Sequence, residues 1–303
     1  MPMADTTTPV GFRRILFATD LTVTANSALL YAARIARRCH STLYLGHIMS
    51  PEHWHLVPPQ EVPHVFNQNR HAAERQFSKM LNSEELLGVA HEVLITRGLL
   101  RRVLPELIEK HEIDLIVMAA RRHEGFPRLL LGSTAEAILE ATSCPVVVVG
   151  PHVAIERAKN WEPNEVLFPT DFGPQTLAAL PYALSLSQTP EVHLTLLHVA
   201  EGPPRDHLRD PDRIERYLQT QLKSLVTEEA ELFHTPEFLV RFGSVVSEVV
   251  DIAAGRHIDL IVLGERRPGL LSAHLMGDTT HEVISRAPCP VLMVCRRDRV
   301  LRR

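Results

Sequence analysis

The stretch that decides the fold is RRILFATDLTVTANSALLYAARIARRCHSTLYLGHI, residues 13–48, because the chain repeats it as NEVLFPTDFGPQTLAALPYALSLSQTPEVHLTLLHV at 164–199. Asp20 matches Asp171 in this alignment. Two later stretches also recur: DLIVMAARR (114–122) as DLIVLGERR (259–267), and CPVVVV (144–149) as CPVLMV (289–294). Repetition on this scale predicts two copies of one domain in a single chain.

Each copy alternates short apolar runs with segments of helical periodicity. The runs of the first copy are RILFAT, TLYLGHI, EVLITRG, DLIVMAA and PVVVVG. Runs of this kind are typical of parallel strands that are buried on both faces. Apolar residues recur at helical spacing between them: Ala73, Phe77, Met80 and Leu81; Leu100, Val103, Leu104, Leu107 and Ile108; and, in the second copy, Ile214, Leu218, Leu222 and Leu225. The alternation predicts an α/β fold, a doubly wound parallel sheet with helices on both faces.

The domain boundaries follow from the repeat. We expect a disordered leader over 1–12, a first domain over 13–150, a linker over 151–163, a second domain over 164–296 and a basic tail over 297–303. Pro181 lies inside the first helical pattern of the second copy. Since proline cannot donate a backbone hydrogen bond, this helix should be kinked or delayed there.

Composition excludes several classes of protein. The net charge of −4 over 303 residues disfavours a nucleic-acid binder, which usually presents a basic face. No apolar run approaches the roughly 18 residues that a membrane span requires, and the N-terminus does not resemble a secretory signal. The four cysteines include no CxxC pair, which favours a reducing compartment. We therefore expect a cytoplasmic protein with neither nucleic acid nor membrane as partner.

Polar residues cluster at the predicted carboxyl ends of the strands, where ligands bind in open α/β sheets. Asp20 and Asp171 end the first strand of each copy, and His47 and His198 end the second. The aspartates could accept hydrogen bonds from a base or sugar, or could only cap the adjoining helix. For the histidines we expect a packed, hydrogen-bonded role.

A candidate anion site lies at the start of the last helix of the first copy. The stretch VMAARRHEGFPRLLLGST (117–134) passes from a buried strand to a helix start at Gly132-Ser133. Free backbone N–H groups and the helix dipole favour an anion at such a start. The same Gly-Ser pattern, with Glu136 three residues on, also begins ordinary helices.

These fragments resemble the universal stress protein family. ILFATD, VLFPTDF, LTLLHV, DLIVMAARR, DLIVLGERR and RLLLGSTAEAILEATSCPVVVV carry the resemblance, which covers about 13–295 as a tandem of two domains. It implies Rossmann-like domains of the adenine nucleotide alpha hydrolase type, each with a five-stranded parallel sheet flanked by helices. It further implies that the two domains pair within the chain through their last strands, PVVVVG and PVLMVC. A homodimer and a protein partner of unknown identity are also compatible with it.

Many members of that family bind ATP through a Gly-x-x-Gly loop followed, nine residues on, by Gly-Ser or Gly-Thr. The first copy departs from the loop glycines, with Ala119 and Arg122 in their places. Other members lack this motif and do not bind ATP, so the resemblance gives ATP as a candidate cofactor of this copy. It gives as candidate site residues Thr19, Asp20, Ile48, Arg121, Arg122, Gly132, Ser133 and Thr134. Arg121 and Arg122 could fill the space of the triphosphate, could grip it through charge-assisted hydrogen bonds, or could simply be solvated.

The second copy departs differently. Its degenerate site comprises Asp171, Gly264, Arg267, Gly277 and Asp278. A carboxylate at Asp278 would repel a phosphate by about 4 kcal/mol per unit-charge pair at about 4 Å and an effective dielectric near 20. We therefore predict that the second copy does not bind ATP in the manner of the family.

Other chemistries find little support in the sequence. His53 and His55 form a His-x-His pair in a histidine-rich segment (47–71), but the spacing matches no standard zinc site, so we expect no metal there and an irregular lid or interface loop instead. Cys144 and Cys289 each precede a proline, which indicates packing and not reactivity. No Gly-x-Ser-x-Gly or Walker motif is present, and we predict no catalytic residues.

The leading hypothesis is a stress-response protein that acts by binding, under control of a nucleotide or other anion. The alternatives are a nucleotide-independent scaffold and a slow ATP-hydrolysing enzyme.

Overall fold

The structure is a computed structural model that describes residues 11–22, 25–50, 58, 60–120, 133–202, 205–227, 230–266 and 278–296. The predicted basic tail and all but two residues of the predicted leader lie outside these ranges. The chain divides into two compact units, one formed by 11–124 with 131–149 and the other mainly by 150–303.

The first unit is a parallel sheet with helices on its faces. Its described strands are β1 (Arg14–Ala18), β2 (Thr42–Met49), β3 (His91–Arg97), β4 (Leu115–Ala119) and β5 (Val146–Val149). They lie in the order β3-β2-β1-β4-β5, and every neighbouring pair is parallel. Its described helices are α1 (Ala25–Cys39), α2 (Val62–Leu81), α3 (Leu100–His111) and α4 (Ser133–Ala141), with a 3₁₀ turn at Glu84–Leu86.

The second unit repeats this plan. Its described strands are β6 (Glu165–Pro169), β7 (His193–Ala200), β8 (Glu237–Phe242), β9 (Leu260–Arg266) and β10 (Val291–Arg296), in the parallel order β8-β7-β6-β9-β10. Its described helices are α5 (Ile155–Lys159), α6 (Pro174–Leu177), α7 (Leu180–Leu186), α8 (Pro211–Lys223), α9 (Val245–Gly255) and α10 (Asp278–Arg286), with a 3₁₀ turn at Arg205–His207. The predicted fold class, two tandem α/β domains with parallel sheets, is confirmed.

Burial explains why the strands are continuous apolar runs. All four residues of β5 are buried, as are Leu16 and Phe17 of β1. On α2 the predicted stripe is anchored by Ala73 and Phe77, which are also buried. The stripe predicted on α8 is less complete, because only Leu222 is fully buried and Ile214 remains 37% exposed. This helix packs on β7 and on β8, the outermost strand of its sheet, so one end of the stripe extends beyond the core.

Pro181 divides the first helix of the second unit, as the sequence predicts. The first unit has one continuous helix, α1, in this place, whereas the second has α6 and then α7, with Pro181 in the first turn of α7. Proline is tolerated in a first turn because the N–H groups there have no partner within the helix. The break leaves α6 as a separate single turn.

The segment predicted as a linker is folded onto the second unit. It contains α5, and its Trp161 is buried with the indole Nε1 donating to the Asp259 carbonyl oxygen at 2.9 Å. The Asp259 carboxylate accepts from the backbone N–H groups of Asn164 and Glu165, just as Asp114 accepts from those of Arg13 and Arg14. One aspartate therefore fixes the start of the first strand in each unit.

The strand order defines where a crevice opens. In the first unit the chain moves outward from β1 to β3 and then returns to add β4 on the other side of β1. Right-handed crossovers then place α1 and α2 on one face of the sheet and α3 and α4 on the other. The switch point lies between β1 and β4, and between β6 and β9 in the second unit.

Candidate functional site

The first unit contains a cavity of about 270 Å³ at the carboxyl ends of β1 and β2. This is just below the roughly 300–1,000 Å³ typical of small-molecule sites. Its floor is apolar, and its polar lining comes from the two strand ends and the first turns of α3 and α4. The lining residues are Leu16, Ala18, Thr19, Asp20, Gly46, His47, Ile48, Ser50, Leu100, Arg101, Leu104, Leu107, Thr134, Ala137 and Ile138.

The cavity brings together four of the site residues predicted from sequence: Thr19, Asp20, Ile48 and Thr134. Ser133 is the first residue of α4, so the helix begins where the sequence places it. Arg121, Arg122 and Gly132 lie outside the described residues. The structure therefore brings these four residues to one cavity, and their role in binding, like the phosphate loop, stays a prediction.

Thr19 and Asp20 form a double turn at the end of β1. The Thr19 hydroxyl accepts from the Leu21 backbone N–H at 2.9 Å, and Asp20 Oδ1 accepts from the backbone N–H and hydroxyl of Thr22 at 3.1 and 2.6 Å. Leu21 is held in the left-handed region with φ 64°. The carboxylate thus fixes the loop that carries it, and it is exposed at the cavity.

The same turn recurs in the second unit. The Thr170 hydroxyl accepts from the Phe172 N–H at 3.0 Å, and Asp171 Oδ1 accepts from the Gly173 N–H at 2.8 Å. Phe172 has φ 62°. The Thr-Asp pair therefore has a structural role in both copies, whether or not a ligand is present.

The two strand-end histidines also have equivalent structural roles. His47 Nδ1 donates to the Thr19 carbonyl oxygen at 2.9 Å, and His198 Nδ1 donates to that of Thr170 at 2.8 Å. The expectation of hydrogen-bonded histidines is confirmed. Each imidazole ties the second strand of its unit to the end of the first.

Sequence reasoning missed Arg101, the cationic residue in the described lining of the cavity. It lies in the first turn of α3, its side chain is 67% exposed, and its guanidinium forms an ion pair with Glu140 of α4. Comparing the two copies could have revealed this pair, because neither residue is charged in the second copy. The residue of the second copy that matches Arg101 is Val246, and the one that matches Glu140 is Ser285.

Sequence reasoning also missed Gly46, a second position at which the two copies differ. It lines the cavity and pairs in register with Ala18, whereas the matching residue Leu197 pairs with Pro169. The Leu197 side chain is fully buried. In the first unit a Cβ at Gly46 would lie 2.6 Å from Leu16 Cδ1, so the Leu16 side chain lies against the strand at this position.

In the second unit, α6 closes over the switch point. A Cβ at Gly264 of β9 would lie only 2.6 Å from the Thr176 Cα, so the glycine allows the α6 backbone to approach. The Thr176 hydroxyl donates to Asp171 Oδ1 at 2.6 Å. The candidate Gly264 thus has a packing role in this structure, next to the single helical turn that Pro181 separates from α7.

The hydrogen bonds within this turn determine the protonation of Asp171. Partial burial alone would raise its pKa, but the hydrogen bonds from Thr176 and Gly173 outweigh the burial and hold the pKa below its usual value. The carboxylate is therefore stabilised in its charged form at the position where a phosphate-bearing ligand would approach.

Four positions around this edge carry carboxylates only in the second unit. Asp278 is the first residue of α10, where its negative charge interacts favourably with the helix dipole. Glu265 accepts a hydrogen bond from Thr280. The four replacements are Ser50 by Glu201, Ala120 by Glu265, Ser133 by Asp278 and Ala137 by Glu282. Arg267 and Gly277 lie outside the described residues. The described edge thus carries carboxylates at four positions that are uncharged in the first unit.

The remaining candidates are structural in the described part of the chain. Burial raises the pKa of the Cys289 thiol to about 12, and the Cys144 thiol donates to the Ile113 carbonyl oxygen at 3.0 Å. His64 and His71 lie exposed on α2, paired with Gln68 and Glu74. The predicted irregular segment therefore becomes helical from Val62 onward. His53 and His55 lie outside the described residues, and none of the described helices is long and apolar enough to cross a membrane.

Comparison with known proteins identifies the family. The model of the universal stress protein family matches residues 11–150 and again residues 163–295. The chain belongs to the universal stress protein family. The two separate matches correspond to the two repeats, so this member carries two family domains in one polypeptide.

Curated relatives of this family match one domain at a time. Universal stress protein G of Shigella flexneri is 34% identical over 139 residues, which are 43% of this chain and 96% of that protein. Universal stress protein A homolog 1 of Coxiella burnetii is 29% identical over 143 residues, 46% of this chain and 96% of that protein. A universal stress protein of Archaeoglobus fulgidus has the same fold over both lengths, with a TM-score of 0.69, 20% identity and coverage of 94% and 98%.

Proposed function

We propose that the first domain binds an adenine nucleotide such as ATP, and that the second does not. The observation that carries this proposal is the cavity at the carboxyl ends of β1 and β2, which combines an apolar floor with Asp20, Thr134 and Arg101 at its polar lining. An apolar slot suits a base, and a cation beside a helix start suits a phosphate.

The second domain keeps Asp171 and Thr279 as counterparts of Asp20 and Thr134, but it differs at three other positions of this edge. Leu197 replaces Gly46, Val246 replaces Arg101, and Asp278 replaces the Ser133 that begins α4. Each added carboxylate opposes a phosphate by about 4 kcal/mol per unit-charge pair at about 4 Å and an effective dielectric near 20. The second domain then supports the fold and offers a surface, and nucleotide occupancy is confined to the first.

On this proposal the protein is a cytoplasmic stress-response protein that acts by binding, with its interactions regulated by the nucleotide in the first domain. The described lining of the cavity contains no cysteine, lysine or glutamate alongside Asp20, and the Nδ1 of its histidine, His47, donates to the Thr19 carbonyl oxygen. Asp20 itself is held by Thr22 in the turn. This favours a sensor over a hydrolase.

Nucleotide that co-purifies with the protein tests the proposal directly. Freshly purified, untagged protein is denatured, and the supernatant is analysed for adenine nucleotides by chromatography and mass spectrometry. ATP at up to one equivalent per chain is the expected result. ADP in its place would favour slow hydrolysis. No nucleotide, together with no ATP binding by calorimetry, would overturn the proposal in favour of a scaffold.

A further inference from the structure

The pair formed by Arg101 and Glu140 distinguishes the first domain from the second. Arg101 lines the cavity from α3, and its guanidinium reaches Glu140 on the neighbouring helix α4. The Glu140 side chain is only 9% exposed, whereas that of Arg101 is 67% exposed. The Glu140 end of the pair is therefore largely buried, and the Arg101 end is exposed to solvent at the cavity.

The contact of the pair joins one guanidinium nitrogen to one carboxylate oxygen. That oxygen, Glu140 Oε2, is buried and has no hydrogen-bond partner among the described residues apart from this ion pair. An arginine prefers a planar, two-pronged contact with a carboxylate or phosphate, which this contact does not provide. An anionic group in the cavity could offer Arg101 that geometry.

We propose that Arg101 is the residue that recognises the anionic group of the ligand, and that it exchanges between Glu140 in the free protein and a phosphate in the complex. The inference rests on the proposed function of the first domain and names its specificity determinant. Glu140 acts as a competitor: it holds Arg101 at the cavity in the free protein and lowers the net affinity for the anion.

If Glu140 and a phosphate compete for Arg101, substitutions of the two residues should have opposite effects on ligand affinity. Removing the charge at Arg101 should weaken binding of an anionic ligand, whereas removing the charge at Glu140 should strengthen it. If the pair only joined α3 to α4, both changes would act in the same direction. Arg102, the exposed next residue of α3, lies outside the described cavity lining and provides a matched control.

The test compares ATP with adenosine, by titration calorimetry on the full chain with Arg101→Gln, Glu140→Gln, Arg102→Gln and the unsubstituted protein. Circular dichroism establishes that each variant is folded. Arg101→Gln should lower the affinity for ATP about tenfold or more, as expected for a hydrogen bond between charged groups, and leave adenosine within about twofold. Glu140→Gln should raise the affinity for ATP about threefold or more, since a neutral amide competes less. Arg102→Gln should change neither.

Three outcomes would overturn the inference while leaving the proposed function intact. These are an equal loss of ATP affinity in Arg101→Gln and Arg102→Gln, a parallel loss of ATP and adenosine affinity in Arg101→Gln, and weaker ATP binding in Glu140→Gln. If the unsubstituted protein bound neither ATP nor adenosine, the proposed function would fail, and the inference with it.

Discussion

At Gly264 the backbone of α6 passes so close to β9 that a Cβ would lie 2.6 Å from the Thr176 Cα. The neighbouring Asp171 carboxylate fixes the same helical turn through the Thr176 hydroxyl. The sequence identified both residues as members of a degenerate nucleotide site. It could not show that they hold a helix in place, because that contact depends on where Pro181 divides the helix.

Substituting Gly264 by alanine should destabilise the second domain. Overpacking of this kind costs about 1–3 kcal/mol, and the atoms that must move belong to the α6 backbone. We expect a lower urea midpoint for Gly264→Ala, followed by the fluorescence of the buried Trp161 in a Trp54→Phe background. Ala119→Gly, the reciprocal change in the first domain, should leave that midpoint unchanged. An unaltered midpoint for Gly264→Ala would show that α6 does not pack there.

The pKa of Asp171 provides a second test of the same turn. Because hydrogen bonding lowers this pKa in the folded state, the carboxylate stabilises the fold above the ordinary aspartate pKa of about 3.9, and this stabilisation is lost as the pH falls through the lower folded value. A carboxyl-carbon NMR titration should give a pKa below about 3.9. Thr176→Val should raise it, whereas Thr220→Val on α8 should not. A value for Asp171 that Thr176→Val leaves unchanged would contradict the hydrogen-bonded turn.

At the scale of elements, the strands and helices were largely predictable and the cavity lining was not. Apolar runs located β1 and β5, and the helical stripe located α2, because burial on fixed faces imposes those periods. Arg101 was missed because an exposed arginine in the first turn of a helix has no periodic signature. Its importance emerges only when α3 is packed beside α4 and compared with Val246 in the repeat.

The last helix starts with Ser133 in the first domain and with Asp278 in the second. Exchanging these two residues should change ATP affinity in the first domain but not in the second. Ser133→Asp should lower the affinity of the first domain for ATP more than tenfold, since a carboxylate there repels phosphate. Asp278→Ser should not create a site in the second domain, because Leu197, Glu265 and Glu282 remain. Titration calorimetry with ATP measures the affinity of both variants. Tight binding gained by Asp278→Ser alone would mean that the helix start, and not the surrounding lining, controls binding.

At the scale of the whole molecule, the chain is two copies of one fold that have diverged at one edge. Both retain the Thr-Asp turn and the histidine that ties the second strand to the first. They differ in what surrounds it, with an open cavity and Arg101 in the first domain, and Leu197 with added carboxylates in the second. The repeat predicted this arrangement of copies. The lining of the cavity required the structure, because Gly46 and Leu197 are equally compatible with a buried strand.

The stoichiometry of ATP binding tests this asymmetry most directly. Titration calorimetry of the full chain should give one site per chain. Gly46→Leu should abolish it, because a Cβ at residue 46 would lie 2.6 Å from Leu16 Cδ1 and the added side chain would disturb the cavity lining. Gly11→Leu makes the same change where no atom lies within 4 Å of a Cβ and should leave binding intact; circular dichroism should confirm that both variants fold. Two equivalent sites per chain, or a single site that survives Gly46→Leu in folded protein, would contradict the assignment of nucleotide binding to the first domain.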